Sequence, residues 1–397
     1  MIYAIIITSI SFLLSLRTSK NIFAPATLVS GLWLFCILAY NFYPHNLFHL
    51  KNQFYTGISI WVSIFTLSSL LTQSVFQKSN NTEEPNFKIR NLYLYITIFT
   101  FPYMMWHIIN LLSELGLLNN IFINLRNAAL GNIKGLDEGT SNNYFATLWL
   151  VAYIIELLHF NKKRIWILVF LFIANFSWAF LIMSKMSFLT LFVGTLAVLF
   201  FKNKIKTKTI LISLAAIFVF FTYLQILRSR DAEIKDDKLN YDFFTLYVLT
   251  GMPAFETIQP NSSEYFGQNS FRIFNAITYK VGLASTKPQN PILGFIPVNK
   301  EKKIITNVYT TLYPYFKDFG YKGILFFAFF IGIFYGYVYK KAIKNDNPMI
   351  VTYSILVAAL LTQFMNETTL STMSFLIQIL ILSHIPYWAN KKLTIKV

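Results

Sequence analysis

Two apolar runs lie back to back in the stretch RIWILVFLFIANFSWAFLIMSKMSFLTLFVGTLAVLFFKNK, residues 164–204. Each run is close to the length of a membrane-crossing helix, because a hydrocarbon core of roughly 30 Å needs about 20 mostly apolar residues. Basic residues flank the pair at both outer ends, and a short turn around Lys185 divides the runs. This stretch predicts a helical hairpin in a membrane, with both ends on the side where lysine and arginine collect.

Apolar runs of this kind recur along the whole chain of 397 residues, which is 55% hydrophobic and 13% charged. Soluble domains carry nearer a quarter charged residues, so the composition excludes an ordinary soluble protein. The sequence therefore predicts an all-α polytopic membrane protein with about eleven transmembrane helices. The predicted spans are residues 1–16, 24–40, 56–76, 91–115, 143–160, 164–183, 186–201, 207–227, 321–339, 349–365 and 369–388.

The net charge of +17 has its source in the loops between these runs. Dispersed basic residues do not form the basic face that nucleic-acid binding needs, so we expect no nucleic-acid partner. The loops assigned to the cytoplasm hold eighteen lysines and arginines, whereas the short outside loops hold four. By the positive-inside rule this asymmetry predicts an N-terminus outside and a C-terminus in the cytoplasm.

The predicted topology divides the chain into three parts. Residues 1–227 carry eight spans, residues 228–320 form one large outside loop, and residues 321–397 carry three spans and a short cytoplasmic tail. Within the loop, the segment Phe243 to Phe255 is too short to span a membrane and too apolar for an ordinary loop. It predicts a short interfacial or re-entrant helix.

The familiar signatures of soluble enzymes are missing from the sequence. It contains no phosphate-binding glycine loop, HExxH helix, CxxC pair or nucleophile elbow, and its single cysteine, Cys36, lies inside an apolar run. We therefore predict no cofactor and no metal, and we expect the chemistry to come from scattered polar groups at the membrane surface.

Charged residues at two predicted outer helix ends are the first candidates. Arg228 and Arg230, followed by Asp231, lie directly after an apolar run, and alternate arginines can offer a fork of donors to a pyrophosphate. The alternative is a pair of residues that reach from the helix end to water. Lys185 can contact an anionic lipid phosphate, or it can be a solvated hairpin lysine.

The stretch Thr306 to Gly323 supplies the second group of candidates. Tyr309 and Tyr315 can stack against sugars, and Asn307 and Asp318 can bind sugar hydroxyls. An interfacial aromatic belt with a helix N-cap is the competing explanation. Weaker candidates in the outside loop are Glu256, Glu264 and Arg272, whereas Glu114, Glu156 and Glu367 are expected to face water or a helix partner.

Residues 170–340 resemble the O-antigen and capsule repeat-unit polymerases of the Wzy type. The similarity rests on SKMSFLTLFVG, on ILRSRDAEI at the start of the large loop, on LYVLTGMPAFETI within it, and on NVYTTLYPYFKDFGYKGI at its end. One departure is Lys185, where many relatives carry arginine, and lysine cannot make the bidentate phosphate contact of arginine.

The resemblance implies a glycosyltransferase in a bacterial inner membrane. It would transfer a growing glycan from one undecaprenyl pyrophosphate carrier to another lipid-linked repeat unit, on the periplasmic face. The implied partners are these lipid-linked oligosaccharides, membrane lipids and a chain-length regulator protein. Arg228, Arg230, Arg272 and Lys185 would stabilise the departing pyrophosphate, and Asp231, Asp318 or Glu256 would deprotonate the acceptor hydroxyl. An O-antigen ligase and a lipid-linked oligosaccharide flippase or transporter remain alternatives.

Overall fold

The computed structural model describes residues 1–75, 83–114, 124, 144–182, 184–231, 244–285 and 293–388. It is mostly helical, which confirms the predicted all-α class. The helices are α1 (Ile2–Ser19), α2 (Pro25–Phe42), α3 (Asn52–Val75), α4 (Phe87–Glu114), α5 (Tyr144–Leu158), α6 (Ile165–Leu181), α7 (Lys185–Phe201), α8 (Thr207–Asp231), α9 (Gly251–Phe255), α10 (Arg272–Lys280), α11 (Tyr313–Ile343), α12 (Asn347–Leu361) and α13 (Met373–Trp388). Two short strands, β1 (Ile296–Pro297) and β2 (Ile305–Thr306), pair antiparallel.

Each predicted span overlaps a helix of the structure. In the described ranges, six helices are long and apolar enough to cross a membrane: Ile2–Ser19, Pro25–Phe42, Asn52–Val75, Phe87–Asn110, Lys162–Leu181 and Tyr313–Ile343. Shorter apolar helices cover the remaining predicted spans. The chain therefore has the character of a membrane protein, and the number of eleven crossings stays a prediction.

The chain folds into two compact units that do not follow the order of the predicted topology. Unit 1 comprises Met1–Lys78, Asp237–Lys340 and Ala359–Leu376, so it joins the first three helices to the segments around α9 to α11. Unit 2 comprises Ser79–Asp236, Lys341–Ala358 and Ile377–Val397, and it holds α4 to α8. Distant parts of the sequence thus meet within each unit.

A stack of aromatic rings forms the centre of unit 1. The fully buried Tyr315 ring lies between Trp61 of α3, at 5.7 Å between centroids, and Phe327 of α11, at 4.3 Å. Close by, Gln363 Oε1 accepts hydrogen bonds from Nε1 of Trp33 and Nε1 of Trp61, both at 3.0 Å. These buried indoles are satisfied by one amide, so α2, α3 and the segment after α12 are held together.

Helices α3 and α11 touch backbone to backbone through two glycines. A Cβ atom built on Gly332 would lie 2.8 Å from the carbonyl oxygen of Phe65, and one built on Gly336 would lie 2.6 Å from that of Ser69. Small residues four apart let membrane helices approach this closely, and packing then provides the attraction between them.

We expect the change Gly336→Ala to lower the stability of the folded protein by about 1–3 kcal/mol, because the added methyl group must push α3 away. In an open helix position the same change would stabilise by up to about 1 kcal/mol. Thermal unfolding in detergent measures the difference. Gly294→Ala is the control, since its Cβ meets no atom within 4 Å. A midpoint for Gly336→Ala at or above that of the native chain would contradict the close contact.

In unit 2, two arginines enclose a buried carboxylate at the ends of three helices. Glu156 of α5 accepts bidentate hydrogen bonds from Arg90 of α4, with Nε to Oε1 at 2.6 Å, and from Arg164 before α6, with Nη2 to Oε1 at 2.7 Å. Arg164 also donates from Nη1 to Oδ1 of Asn91 at 3.1 Å. The expectation that Glu156 faces a helix partner is thus confirmed.

The predicted short helix near residues 243–255 exists but is buried. From Thr245 to Leu249 the backbone forms a π-helical turn, and α9 follows it. Phe255 at the end of α9 is fully buried against Phe54, at 6.3 Å between centroids, and Phe316, at 5.0 Å. All five residues of α9 are buried, which disfavours the interfacial alternative for this part of the segment and places α9 inside unit 1.

Candidate functional site

A polar cavity of about 210 Å³ lies in unit 1, beside the start of α11. Its wall combines one arginine, one carboxylate, two amides, several hydroxyl groups and one phenol. The lining residues are Asn269, Arg272, Leu293, Thr310, Tyr313, Pro314, Asn366, Glu367, Thr368, Ser371 and Thr372. Such a set of donors and acceptors around an aromatic ring suits a hydroxyl-rich, anionic ligand.

Two segments that are far apart in sequence pair to form this wall. The backbone N–H of Thr310 donates to the carbonyl oxygen of Met365 at 3.0 Å, and the N–H of Thr311 donates to that of Gln363 at 2.7 Å. Thr310 is buried and has φ of +66°, a conformation that β-branched residues rarely adopt. Strain of this kind costs about 1–3 kcal/mol and collects at functional sites, and here the pairing holds it in place.

Glu367 is the carboxylate on the cavity wall. It is buried, and its oxygens accept hydrogen bonds from the backbone N–H groups of Thr369 at 2.7 Å, Leu370 at 3.0 Å and Ser371 at 2.6 Å. These donors fix the position of the carboxylate. From the sequence, Glu367 was expected to face water or a helix partner and was given no role in a site. Its position as an acidic residue in the outside turn FMNETTL was the feature of the sequence that could have pointed to a site.

Arg272 brings the positive charge. It is the first residue of α10 and is half-buried. Burial lowers the pKa of Arg272, and the nearby phenol groups of Tyr265 and Tyr313 oppose that change. A guanidinium stays protonated at neutral pH even so, and its fork of donors matches phosphate oxygens.

A second cation lies behind the phenol of Tyr313. Lys317 donates from Nζ to the Tyr313 hydroxyl at 3.2 Å, and its Nζ lies 5.5 Å from the centre of that ring. The Tyr313 oxygen accepts this charged donor, which fixes the position of the phenol in the cavity wall. Tyr313 was part of the predicted sugar-binding stretch, although it was not singled out there.

The structure places Asp318 behind the cavity wall. This buried carboxylate accepts hydrogen bonds from the Ser263 hydroxyl, from the Asn269 side chain at 2.7 Å and from the backbone N–H of Ser270 at 2.7 Å. Asn269 in turn lines the cavity. The geometry therefore favours a positioning role for Asp318 over the predicted role of catalytic base.

Glu256 also lies away from the cavity lining. Its Oε1 accepts from the backbone N–H of Lys51 at 2.7 Å and from that of Phe54 at 3.0 Å, so it caps the start of α3. A carboxylate at a helix N-terminus stabilises the free N–H groups there. This contact gives Glu256 a structural role, and nothing in its geometry points to proton transfer.

The predicted sugar-binding aromatics support the wall instead of lining it. Tyr309 donates its hydroxyl to the carbonyl oxygen of Gly294 at 2.8 Å, and burial raises the pKa of Tyr309 to about 12, so the phenol stays protonated. Its ring centroid lies 5.1 Å from that of Tyr313. Tyr315 belongs to the buried aromatic stack, and Asn307 is half-buried outside the cavity lining.

The remaining predicted residues are in unit 2. Arg228, Arg230 and Asp231 fall within the bounds of α8, and their side chains lie outside the described residues. Lys185 is the first residue of α7 and is half-buried. Of the predicted residues, the structure thus brings Arg272 to the cavity.

The described ranges contain no cluster of three or more histidine, cysteine or acidic side chains that could hold a metal ion. Comparison of the chain with family models, curated proteins and solved structures found no match.

Proposed function

We propose that this protein is a membrane glycosyltransferase that polymerises oligosaccharide repeat units linked to undecaprenyl pyrophosphate, and that the cavity around Arg272 and Glu367 is its active site. The observation that carries the proposal is a cavity with one arginine and one buried carboxylate beside the start of a membrane-length apolar helix. A lipid-linked substrate presents its pyrophosphate and first sugar at that level of the bilayer.

The neutral groups of the wall suit recognition of a sugar. The Asn366 amide and the Thr368 hydroxyl can donate and accept hydrogen bonds. The donors of Asn269 and Ser371 are used within the protein, so these two side chains offer acceptors to sugar hydroxyls. The Tyr313 ring offers a face and a hydroxyl in one side chain. Because the Asp318 hydrogen bonds fix Asn269, part of this surface is organised before substrate binds.

The reaction forms a bond between the acceptor hydroxyl oxygen and the anomeric carbon of the donor sugar. The bond from that carbon to the pyrophosphate oxygen breaks, and its electron pair leaves with the pyrophosphate. Arg272 stabilises the charge that develops on the leaving group. Glu367, which lines the cavity, accepts the proton of the acceptor hydroxyl, and the N–H donors around it fix the position of its carboxylate.

The proposed location is the bacterial inner membrane with the cavity on the periplasmic face. The eighteen-to-four distribution of basic residues between predicted inner and outer short loops supports that orientation. The partners are the two lipid-linked oligosaccharides, the surrounding lipids and a chain-length regulator protein. The chemistry of the wall requires no cofactor.

The lipopolysaccharide or capsule glycan profile of a deletion strain tests the function. We expect the long ladder to disappear while a single repeat unit stays attached. Long lipid-linked chains without attached glycan would instead establish a ligase. Accumulation of repeat units on the cytoplasmic side would establish a flippase. An unchanged profile would refute glycan assembly altogether.

Complementation with Glu367→Gln tests the site. The variant keeps the shape of the side chain and loses its charge, so we expect about a 10²-fold slower elongation or more. Glu264→Gln is the matched control, because Glu264 is exposed and does not line the cavity. Equal ladders from both variants, at equal amounts of protein in the membrane, would remove Glu367 from the mechanism.

A further inference from the structure

A second, apolar depression lies in unit 1 on the segments that also form the polar cavity. It has a volume of about 300 Å³ and is lined by Phe266, Phe271, Phe319, Lys322, Gly323, Phe326 and Phe327. We call these residues the phenylalanine groove. Phe271 of the groove directly precedes Arg272 of the cavity in the chain, so the two sites share one stretch of backbone.

The rings of the groove form a fixed surface. Phe271 lies 5.6 Å from Phe327 between ring centroids, and Phe319 lies 6.2 Å from Phe327. Phe327 is buried against Tyr315 in the core of unit 1, so the floor is rigid. At the edge, Phe266 is 78% exposed and Phe326 is 50% exposed, which leaves the groove open to an apolar ligand.

The exposed face of α11 continues from this groove. Its apolar side chains Leu325, Phe326, Phe329 and Phe330 are exposed, as expected for a face toward lipid chains. Lys322 stands one turn before Phe326 on the same face. A cation above a strip of phenyl rings complements a molecule with an anionic head and an apolar tail.

The amphipathic character of α10 is a separate observation, and it indicates that the groove lies at the membrane surface. It is strongly amphipathic, and Phe274 and Ile277 on it, with Val281 directly after it, expose one apolar strip at helical spacing. Helices with such a strip lie in the interface between lipid chains and water. Helix α10 begins at Arg272 of the cavity and directly follows Phe271 of the groove. The interface between lipid chains and water therefore lies beside both the cavity and the groove.

We infer that the phenylalanine groove binds the polyisoprenoid tail of the lipid-linked substrate, with Lys322 at the level of its phosphates; this inference rests on the proposed function. The tail then runs from the groove along α11, and the pyrophosphate and sugars reach Arg272 in the adjoining cavity. The groove thereby selects substrates by their lipid as well as by their sugar.

Photolabelling of the purified full-length chain tests the groove without any need for catalysis. The probe is a C55 polyprenyl phosphate that carries a diazirine in its tail, in nanodiscs with phosphatidylglycerol. We expect labelled peptides from the Phe266 to Phe327 region, and at least fivefold less labelling in the double variant Phe266→Ala and Phe326→Ala. Both side chains are exposed, so the variant keeps its fold, which thermal unfolding verifies.

Phe99→Ala is the matched control, since Phe99 is 77% exposed on α4 and belongs neither to the groove nor to the face of α11 along which the tail is expected to run. Equal labelling of the double variant and the control would overturn the inference. Equal labelling of the groove by a phosphatidylglycerol that carries the diazirine in its acyl chain would also overturn the inference, because the groove would then hold general membrane lipid.

The same samples separate this inference from the proposed function. If the groove is labelled as expected but the deletion strain keeps its long glycan, the polyprenyl site stands and the polymerase proposal fails. If the glycan ladder depends on the protein but labelling ignores the groove, the polymerase proposal stands and the tail binds elsewhere.

Discussion

Replacing Arg272 with alanine is expected to slow glycan elongation about 10²–10³-fold, the usual effect of removing one donor that stabilises developing negative charge. The loss should fall on kcat more than on KM, because the leaving pyrophosphate gains charge in the transition state. Elongation of lipid-linked repeat units by the purified protein in liposomes, followed on a gel by the number of repeats added, measures it.

Two further variants interpret that result. Arg272→Lys keeps the charge and loses the planar fork, so we expect an intermediate rate. Lys280→Ala removes an exposed cation from the other end of α10, outside the cavity lining, and should elongate at the native rate. If Lys280→Ala and Arg272→Ala slow elongation equally, the effect belongs to the general charge of this surface and the proposed role of Arg272 is wrong.

Replacing Glu156 with alanine is expected to cost about 3–5 kcal/mol of stability, because Arg90 and Arg164, which are only 11% and 16% exposed, then lose their shared counter-charge. The Cζ atom of Arg164 also lies 5.4 Å from the centre of the Phe87 ring. Unfolding of the purified protein in detergent, by denaturant or by heat, measures the loss. The change should also reduce the amount of protein in the membrane.

A triple variant with Glu156→Leu, Arg90→Met and Arg164→Met gives the decisive comparison. Apolar side chains of similar size should restore most of the lost stability, because no unpaired charge is left behind. Glu301→Ala is the exposed control, since the Glu301 ion pair with Lys303 lies in water and contributes little. A Glu156→Ala variant as stable as this control would show that the buried pairs contribute nothing.

The helices were predictable because each apolar run is a local property of the sequence. The bounds of α2 and α7 differ from their predicted spans by only one or two residues. At α11 the prediction began at residue 321, whereas the helix begins at Tyr313 and is interrupted at Gly320, where φ is +60°. The predicted span began directly after this glycine, whereas the structure also has helical backbone on its N-terminal side.

The site was less predictable because its wall depends on contacts between distant segments. Glu367 becomes a cavity residue only through the pairing of Thr310 with Met365, which no local pattern indicates. Asp318 and Glu256 are carboxylates in the predicted outer loop, as a site residue would be, but neither of them lines the cavity. Arg272 was ranked as a weak candidate, since burial at the start of an amphipathic helix is visible only in the fold.

The acceptor role of Gln363 also bears on how the protein is made. Trp33 and Trp61 are synthesised about three hundred residues before the amide that receives both of their indole protons. Until that late segment arrives, the growing chain carries two buried donors without an acceptor and a cavity without Glu367. Biosynthesis thus completes the core and the cavity wall together, so we expect a chain that ends before Gln363 to lack both and to be degraded faster in the membrane than the full chain.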